Sequence, residues 1–164
     1  MLQRQLIEPT HYRNAMARYA GHVQLVTTSL GDHRRGVTIT AACSVSDNPA
    51  TVLVCLNKSN PKNRIFIDSG VFALNTLAAD QQALASAFSG EFGLSEDDRF
   101  ARGEWDTIAS GAPTLVNAPV VFDCRLVDHT ELATHMVLYG EVVGLRLGEQ
   151  RRALLYMNRD YHHL

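Results

Sequence analysis

Apolar and polar positions change period along this chain, and the change separates helices from strands. Across residues 9–20, Tyr12, Ala15, Met16, Tyr19 and Ala20 fall at the i, i+3, i+4, i+7, i+8 spacing of one helical face. With Thr10 available as N-cap and Gly21 as the stop, the spacing predicts an amphipathic helix. Residues 22–29 read as a strand, and the polar, glycine-flanked LGDHRRG turns the chain into a second strand over 37–44. Residues 51–57 are almost continuously apolar, which predicts a strand buried on both faces, in a barrel or at an interface.

Beyond Asn57 the pattern turns polar, so 58–63 is a loop, followed by a short helix over 64–68 and a turn at Gly70. A strand over 71–77 precedes a second helix over 80–88 that sets Ala83, Leu84, Ala87 and Phe88 on its inner side. Residues 89–104 mix glycine with acidic residues around an exposed-looking Phe92, and read as a mobile loop over a ligand or as a surface excursion. Three further strands are predicted over 120–127, 136–147 and 153–158. Adjacent strands without regular intervening helices argue for an antiparallel β-barrel with peripheral helices rather than a parallel α/β fold. No internal repeat is visible, and 164 residues suit one domain spanning 1–164.

Composition narrows the function classes. A formal net charge of −2 and the lack of any Lys/Arg stripe argue against nucleic-acid binding; the doublets Arg34-Arg35 and Arg151-Arg152 read as solvated loop residues. No run is long enough for a membrane span, and MLQRQLIEPT lacks the apolar core of a signal peptide, so a cytoplasmic location is expected. Three cysteines, Cys43, Cys55 and Cys124, each sit in an apolar run and are expected to be buried thiols. Seven histidines show no metal-ligand spacing except the terminal His162-His163, whose side chains point apart on a strand, so no metal site is expected. Neither G-x-G-x-x-G nor a P-loop is present, so any nucleotide is held without a Rossmann turn.

The candidate chemistry lies in GVTITAACSVSDNPATVLVCLN, residues 36–57. Its first half carries small residues and hydroxyls (Thr38, Thr40, Ala41, Ala42, Cys43, Ser44), which leave room and donors beside a backbone, for a ligand or for a closely packed strand or subunit. The pattern Gly-x-Thr-x-x-Ala-x-x-Ser-Val-Ser-x-x-Pro, followed by Cys55-Leu56-Asn57, resembles the short-chain NAD(P)H:flavin reductases. The likeness continues through Gly70–Leu77, Asp98-Arg99-Phe100, Trp105, Gly111-Ala112-Pro113, Phe122-Asp123-Cys124, Thr134-His135 and Tyr156 to Arg159-Asp160-Tyr161, nearly the whole chain.

That resemblance implies an FMN-binding split β-barrel working as a homodimer, with NADH or NADPH as donor and FAD as a possible alternative flavin. It implies that Thr38, Thr40, Ala41, Ala42, Ser44 and Val45 meet the flavin ring and ribityl chain. The loop Asn57, Lys58, Ser59, Lys62, Asn63 falls where the family binds flavin phosphate, although Ser59-Asn60-Pro61-Lys62 stands where the family often has Ser-Ser-x-Thr. Ser86, Phe88 and Arg99 are further flavin-site candidates, with surface ion pairing as the alternative for Arg99. His135 matches the histidine beside the nicotinamide, with Ala133 where the family pattern has glycine; Tyr161 and Arg159 complete the nicotinamide side, or anchor the last strand. Positioning the donor carbon about 3–3.5 Å from the flavin does most of the catalysis, so no acid–base triad is required. The family role would be supply of reduced flavin to a partner monooxygenase. Two alternatives are a reductase of a bulky corrinoid such as cob(II)yrinic acid a,c-diamide, which must retain its flavin, and a non-catalytic FMN-binding module.

Overall fold

The computed structural model describes residues 6–164; residues 1–5, and with them half of the stretch read against a signal peptide, lie outside the described residues. The chain opens with α1 (Pro9–Met16), β1 (Gly21–His22), β2 (Gln24–Leu30), β3 (His33–Ile39), β4 (Ala42–Asp47) and β5 (Ala50–Asn57). A 3-10 turn at Pro61–Arg64 leads into α2 (Ile65–Ser69) and β6 (Val71–Thr76), and another at Ala79–Gln81 into α3 (Gln82–Ser89). Next come α4 (Glu96–Phe100), β7 (Trp105–Asp106), β8 (Thr114–Leu115), β9 (Val120–Leu132), β10 (His135–Leu147), β11 (Leu154–Met157) and β12 (Asp160–His163).

Seven strands form one antiparallel sheet in the order β3-β2-β6-β9-β10-β5-β4. The chain passes from β3 at one edge to β4 at the other through Thr40 and Ala41 alone, so the two edges must lie side by side and the sheet is rolled into a barrel. The edges do not pair with each other, which leaves the barrel split at this point. The single strand expected over 37–44 is therefore two strands on opposite edges.

Strand alternation divides the core. Val26, Val54, Leu56, Phe72, Leu74 and Leu138 fill the barrel with Phe66 of α2, while Leu25, Phe88, Phe100, Leu115 and Leu154 pack under α3, α4 and the C-terminal hairpin. β2 and β6 are buried on both faces, since both packing layers lie against them. β5 was expected to be such a strand; instead Val52, Val54 and Leu56 are buried while Leu53 and Cys55 on its other face are only half-covered.

Other expectations also shift. α1 is capped by Glu8 with Pro9 in its first turn, not by Thr10, and its apolar residues Tyr12 and Met16, with Tyr19 beyond it, stay exposed. In α3, Ala83 is exposed while Ala85 and Ser86 face inward. The irregular stretch 89–104 contains α4, capped by the Ser95 hydroxyl and begun by three acidic residues that suit a helix N-terminus. Cys43 is exposed, and Arg35 lies buried in β3 rather than in a solvated loop.

Candidate active site

The site is built at the split. Ala42 N–H donates back to the Thr40 carbonyl (3.0 Å), a tight bend, while Cys55 N–H donates to the Ala41 carbonyl (2.9 Å) and fixes the crossing to β5. On the other side the Thr38 hydroxyl donates to the Ala85 carbonyl of α3 (2.7 Å), and Thr40 packs so closely on Gly21 that a Cβ there would lie 2.8 Å from Thr40 Cβ. Thr38 is thus a tie to the scaffold. Thr40, Ala41, Cys43, Ser44 and Val45 remain exposed along an edge strand with one row of backbone amides and carbonyls unpaired. Ala42 turns its methyl toward the barrel interior, so it contributes backbone rather than side chain to that edge.

At one end of this strip lies the 57–63 loop. Its amides are largely committed: Lys58 N–H to the Thr134 carbonyl, Ser59 N–H to Asn57 Oδ1, Lys62 N–H to Asn60 Oδ1 and Asn63 N–H to the Asn60 carbonyl. An anion here would therefore be gripped by side chains, the Ser59 hydroxyl and the ammonium groups of Lys62 and Lys58. Lys58 is only loosely engaged, by Glu131 at 3.3 Å. His135 pairs across the sheet with Asn57, beside this loop; its Nδ1 is 2.7 Å from the Thr134 hydroxyl and its ring is exposed. Ala133 before it takes φ +48°, so the turn keeps the left-handed shape for which the family pattern carries glycine.

Beside Thr38 and Thr40, where the Ala85 carbonyl takes the Thr38 hydroxyl and Gly21 joins Thr40 to Tyr156, lies a cleft of about 600 Å³ lined by Ser86, Gln82, Glu91, Tyr156, Arg159 and Tyr161. Burial pushes the Tyr161 phenol up, and the neighbouring Ser86 hydroxyl partly offsets that. Arg159 holds Asn14 of α1 at 2.6 Å. Ser86, Arg159 and Tyr161 thus converge, while His135 stands with the 57–63 loop instead of with them.

Four candidates move out of direct contact: Thr38, whose hydroxyl is committed to Ala85, Asn63, which is buried with its side-chain amide committed to Arg35 and the Asn57 carbonyl, Phe88 and Arg99. Phe88 is buried edge-on against Phe100 and Trp105, and a Cβ at Gly36 would lie 2.4 Å from its ring, so it serves the core. Arg99 donates to the Leu94 carbonyl (3.1 Å) and to Glu96 (3.4 Å), a local clamp rather than the exposed pair or cofactor contact expected. Gln82 at the start of α3, Glu91 just past its end and Tyr156 of β11 also line the cleft and were not named from the sequence, because only the docking of α3 against the β11–β12 hairpin brings them together.

The demands of FMN can be set against these residues. A planar ring needs a bed of small side chains and hydrogen-bonding groups along its edge, and its phosphate needs cations and donors. The exposed Ala41–Ser44 edge and the Ser59, Lys58 and Lys62 side chains meet both demands, so the residues fit the group.

The fold is a split barrel whose sheet break exposes a strip of small residues. The flavin reductase like domain matches residues 16–164, and the chain belongs to that family; it is an oxidoreductase of the flavin-reductase class. It is 48% identical over 156 residues to FMN reductase (NADH) RutF of Ancylobacter novellus, covering 95% of this chain and 85% of that protein. Among solved structures, a Haemophilus somnus protein assigned as a flavin reductase superposes with a TM-score of 0.92 at 35% identity, covering 96% of this chain and 100% of the other. BorF, the flavin reductase component of a bacterial two-component tryptophan halogenase, superposes with a TM-score of 0.87 at 26% identity over 96% of this chain and 98% of its own. No described helix is long and apolar enough to cross a membrane.

The cysteines give a simple check on this geometry. Burial, with the Asp123 charge added, pushes the Cys124 thiol up to about 12, and burial followed by nearby Cys43 raises Cys55. Only the thiolate alkylates, so Cys124 should stay unmodified in native protein at about pH 8 while exposed Cys43 reacts, with Cys55 slower. Mass spectrometry after iodoacetamide reads this directly. Labelling of Cys124 at the rate of Cys43 would mean that β9 is not the closed strand described.

Proposed function

We propose that this chain is an NADH-dependent FMN reductase whose flavin lies along the exposed edge between β3 and β4. The observation that carries the reading is that edge itself: small residues and unpaired backbone groups, flanked by a lysine-bearing loop and a cleft containing a tyrosine. When bound, FMN supplies the two-electron acceptor for hydride from the nicotinamide. The Ala41–Ser44 backbone orients the ring, and Ser59, Lys58 and Lys62 hold the phosphate. His135, Ser86, Tyr161 and Arg159 position the nicotinamide.

The functional unit is a homodimer in this reading. Val45, Val143, Leu145 and Leu147 are exposed, and the open barrel end forms a cavity of about 560 Å³ lined by Ala42, Val52, Leu74, Phe122, Val142 and Leu145. A second copy covers such a surface without new chemistry. The reduced flavin serves a partner monooxygenase or a related two-component system, by likeness to BorF, the flavin reductase component of a two-component tryptophan halogenase. Cytoplasmic location is consistent with three free thiols.

Anaerobic NADH oxidation with catalytic FMN tests the core of this. Turnover should require FMN, and a flavin trap should block transfer to any external acceptor, cob(II)alamin included. NADH oxidation that is absent with FMN present would leave only a flavin-binding role. Cobalt reduction undiminished by the trap would assign the chain to direct electron delivery instead.

A further inference from the structure

Arg35 occupies a position that a solvated basic doublet would not. It is 6% exposed, in β3, and each of its three side-chain nitrogens donates a hydrogen bond. Nε and one terminal nitrogen both donate to Asn63 Oδ1, at 3.0 and 2.8 Å, and the other terminal nitrogen pairs with Glu96 Oε1. Guanidinium has no acceptor, so Asn63 must present its oxygen to Arg35 and its Nδ2 the other way. That Nδ2 donates to the Asn57 carbonyl at 3.0 Å, closing the 57–63 loop across its own mouth. Glu96 opens α4, and its carboxylate also receives the Gly36 amide (3.3 Å) and Arg99 (3.4 Å). No buried side-chain nitrogen or oxygen among the described residues lacks a partner, so this chain of bonds is complete.

We propose that Arg35, held by Glu96 and acting through Asn63, is a positioning residue that fixes the 57–63 loop in the shape that receives the flavin phosphate. The inference rests on the reading that this loop is the phosphate site. Asn63 and Arg99 accordingly act behind the site rather than in it: Asn63 orients the loop, and Arg99 keeps Glu96 turned toward Arg35. Asn57 and Asn60 shape the same loop through their bonds to the Ser59 and Lys62 amides, and Asn63 ties its two ends. The loop therefore enters the free protein already closed, which lowers the ordering cost of anion binding. α4 is what supplies Glu96, so the segment read as an irregular excursion is a brace for a site it does not line.

Riboflavin, which lacks the phosphate, separates positioning from general damage. Arg35→Gln and Asn63→Ala should each raise the FMN Kd about tenfold, the lower end of what loss of an orienting residue behind a ligand costs, while the riboflavin Kd stays within about twofold. The double variant should be no weaker than either single, because both remove one link. If Arg35→Gln does not fold, Arg35→Lys carries the test, since lysine keeps the charge against Glu96 but lacks the fork. Equal loss of FMN and riboflavin affinity, an effect of Asn63→Ala without one from Arg35, or no effect from either, overturns the proposal. Lys62→Ala is the control on the underlying reading. If it costs FMN but not riboflavin affinity while the Arg35 variants do not, the loop binds phosphate and this inference fails; if neither set discriminates, the loop assignment itself fails.

Discussion

Ala41→Glu should abolish FMN binding, raising the Kd about a hundredfold or more, in a protein that folds normally. Ala41 sits in the two-residue crossing between the sheet edges, exposed, with its carbonyl tied to Cys55 and its methyl free. A carboxylate there occupies the bed for the ring, and covering it with a ring that offers no partner charge carries a desolvation cost of several kcal/mol. The fold should hardly notice, because exposed substitutions away from caps and buried networks change stability by about 0.5 kcal/mol or less. Flavin fluorescence quenching gives the Kd, and urea unfolding checks the fold. An Ala41→Glu protein that binds FMN as tightly as the parent would remove the β3–β4 split as the flavin bed, and Ala41→Ser, which keeps the site small, should bind normally.

The crossing shows what the sequence could and could not carry. Residues 37–44 read as one strand because Val37, Thr38, Ile39 and Thr40 are β-branched and no turn residue follows them before Ser44; the break at Thr40 and Ala41 arises only because β3 and β4 belong to opposite edges of a rolled sheet. The antiparallel barrel was legible from adjacent strands without regular intervening helices; the strand count was not, since the short β1, β7, β8 and β12 and the separation of β3 from β4 leave no distinct pattern. Which strands are buried on both faces was not legible either, since the apolar run of β5 and the polar-looking QLVTTSL of β2 invert the expected order. β2 buries Thr27 and Thr28 by bonding their hydroxyls to the Pro113 and Val71 carbonyls, a cost that periodicity does not see. α4 was not read from the sequence, although its signal was present: Ser95 followed by Glu96-Asp97-Asp98 is a capped, acidic first turn, hidden by the glycines on either side. The Arg35–Asn63–Glu96 chain joins residues 28 and 61 positions apart, so no local pattern could place it.

For His135 the structure sharpens the test. Its Nδ1 is held by the Thr134 hydroxyl, the ring is exposed, and the strand pairing with Asn57 sets it beside the 57–63 loop, the proposed phosphate site. A ring fixed on one nitrogen is suited to orienting a carboxamide with the other. His135→Ala should therefore slow flavin reduction by NADH about a hundredfold, the scale of a misplacement of roughly 1 Å between reacting groups, with FMN affinity near that of the parent. Stopped-flow bleaching of the flavin absorbance gives the rate and titration gives the Kd. Asparagine at 135, which retains a neutral donor, should recover part of the rate. The neighbouring loop supplies the competing result: if His135→Ala weakens FMN but not riboflavin and leaves the reduction rate of the saturated enzyme unchanged, the imidazole belongs to the phosphate end, and the nicotinamide must be positioned from the Ser86, Tyr161 and Arg159 cleft alone.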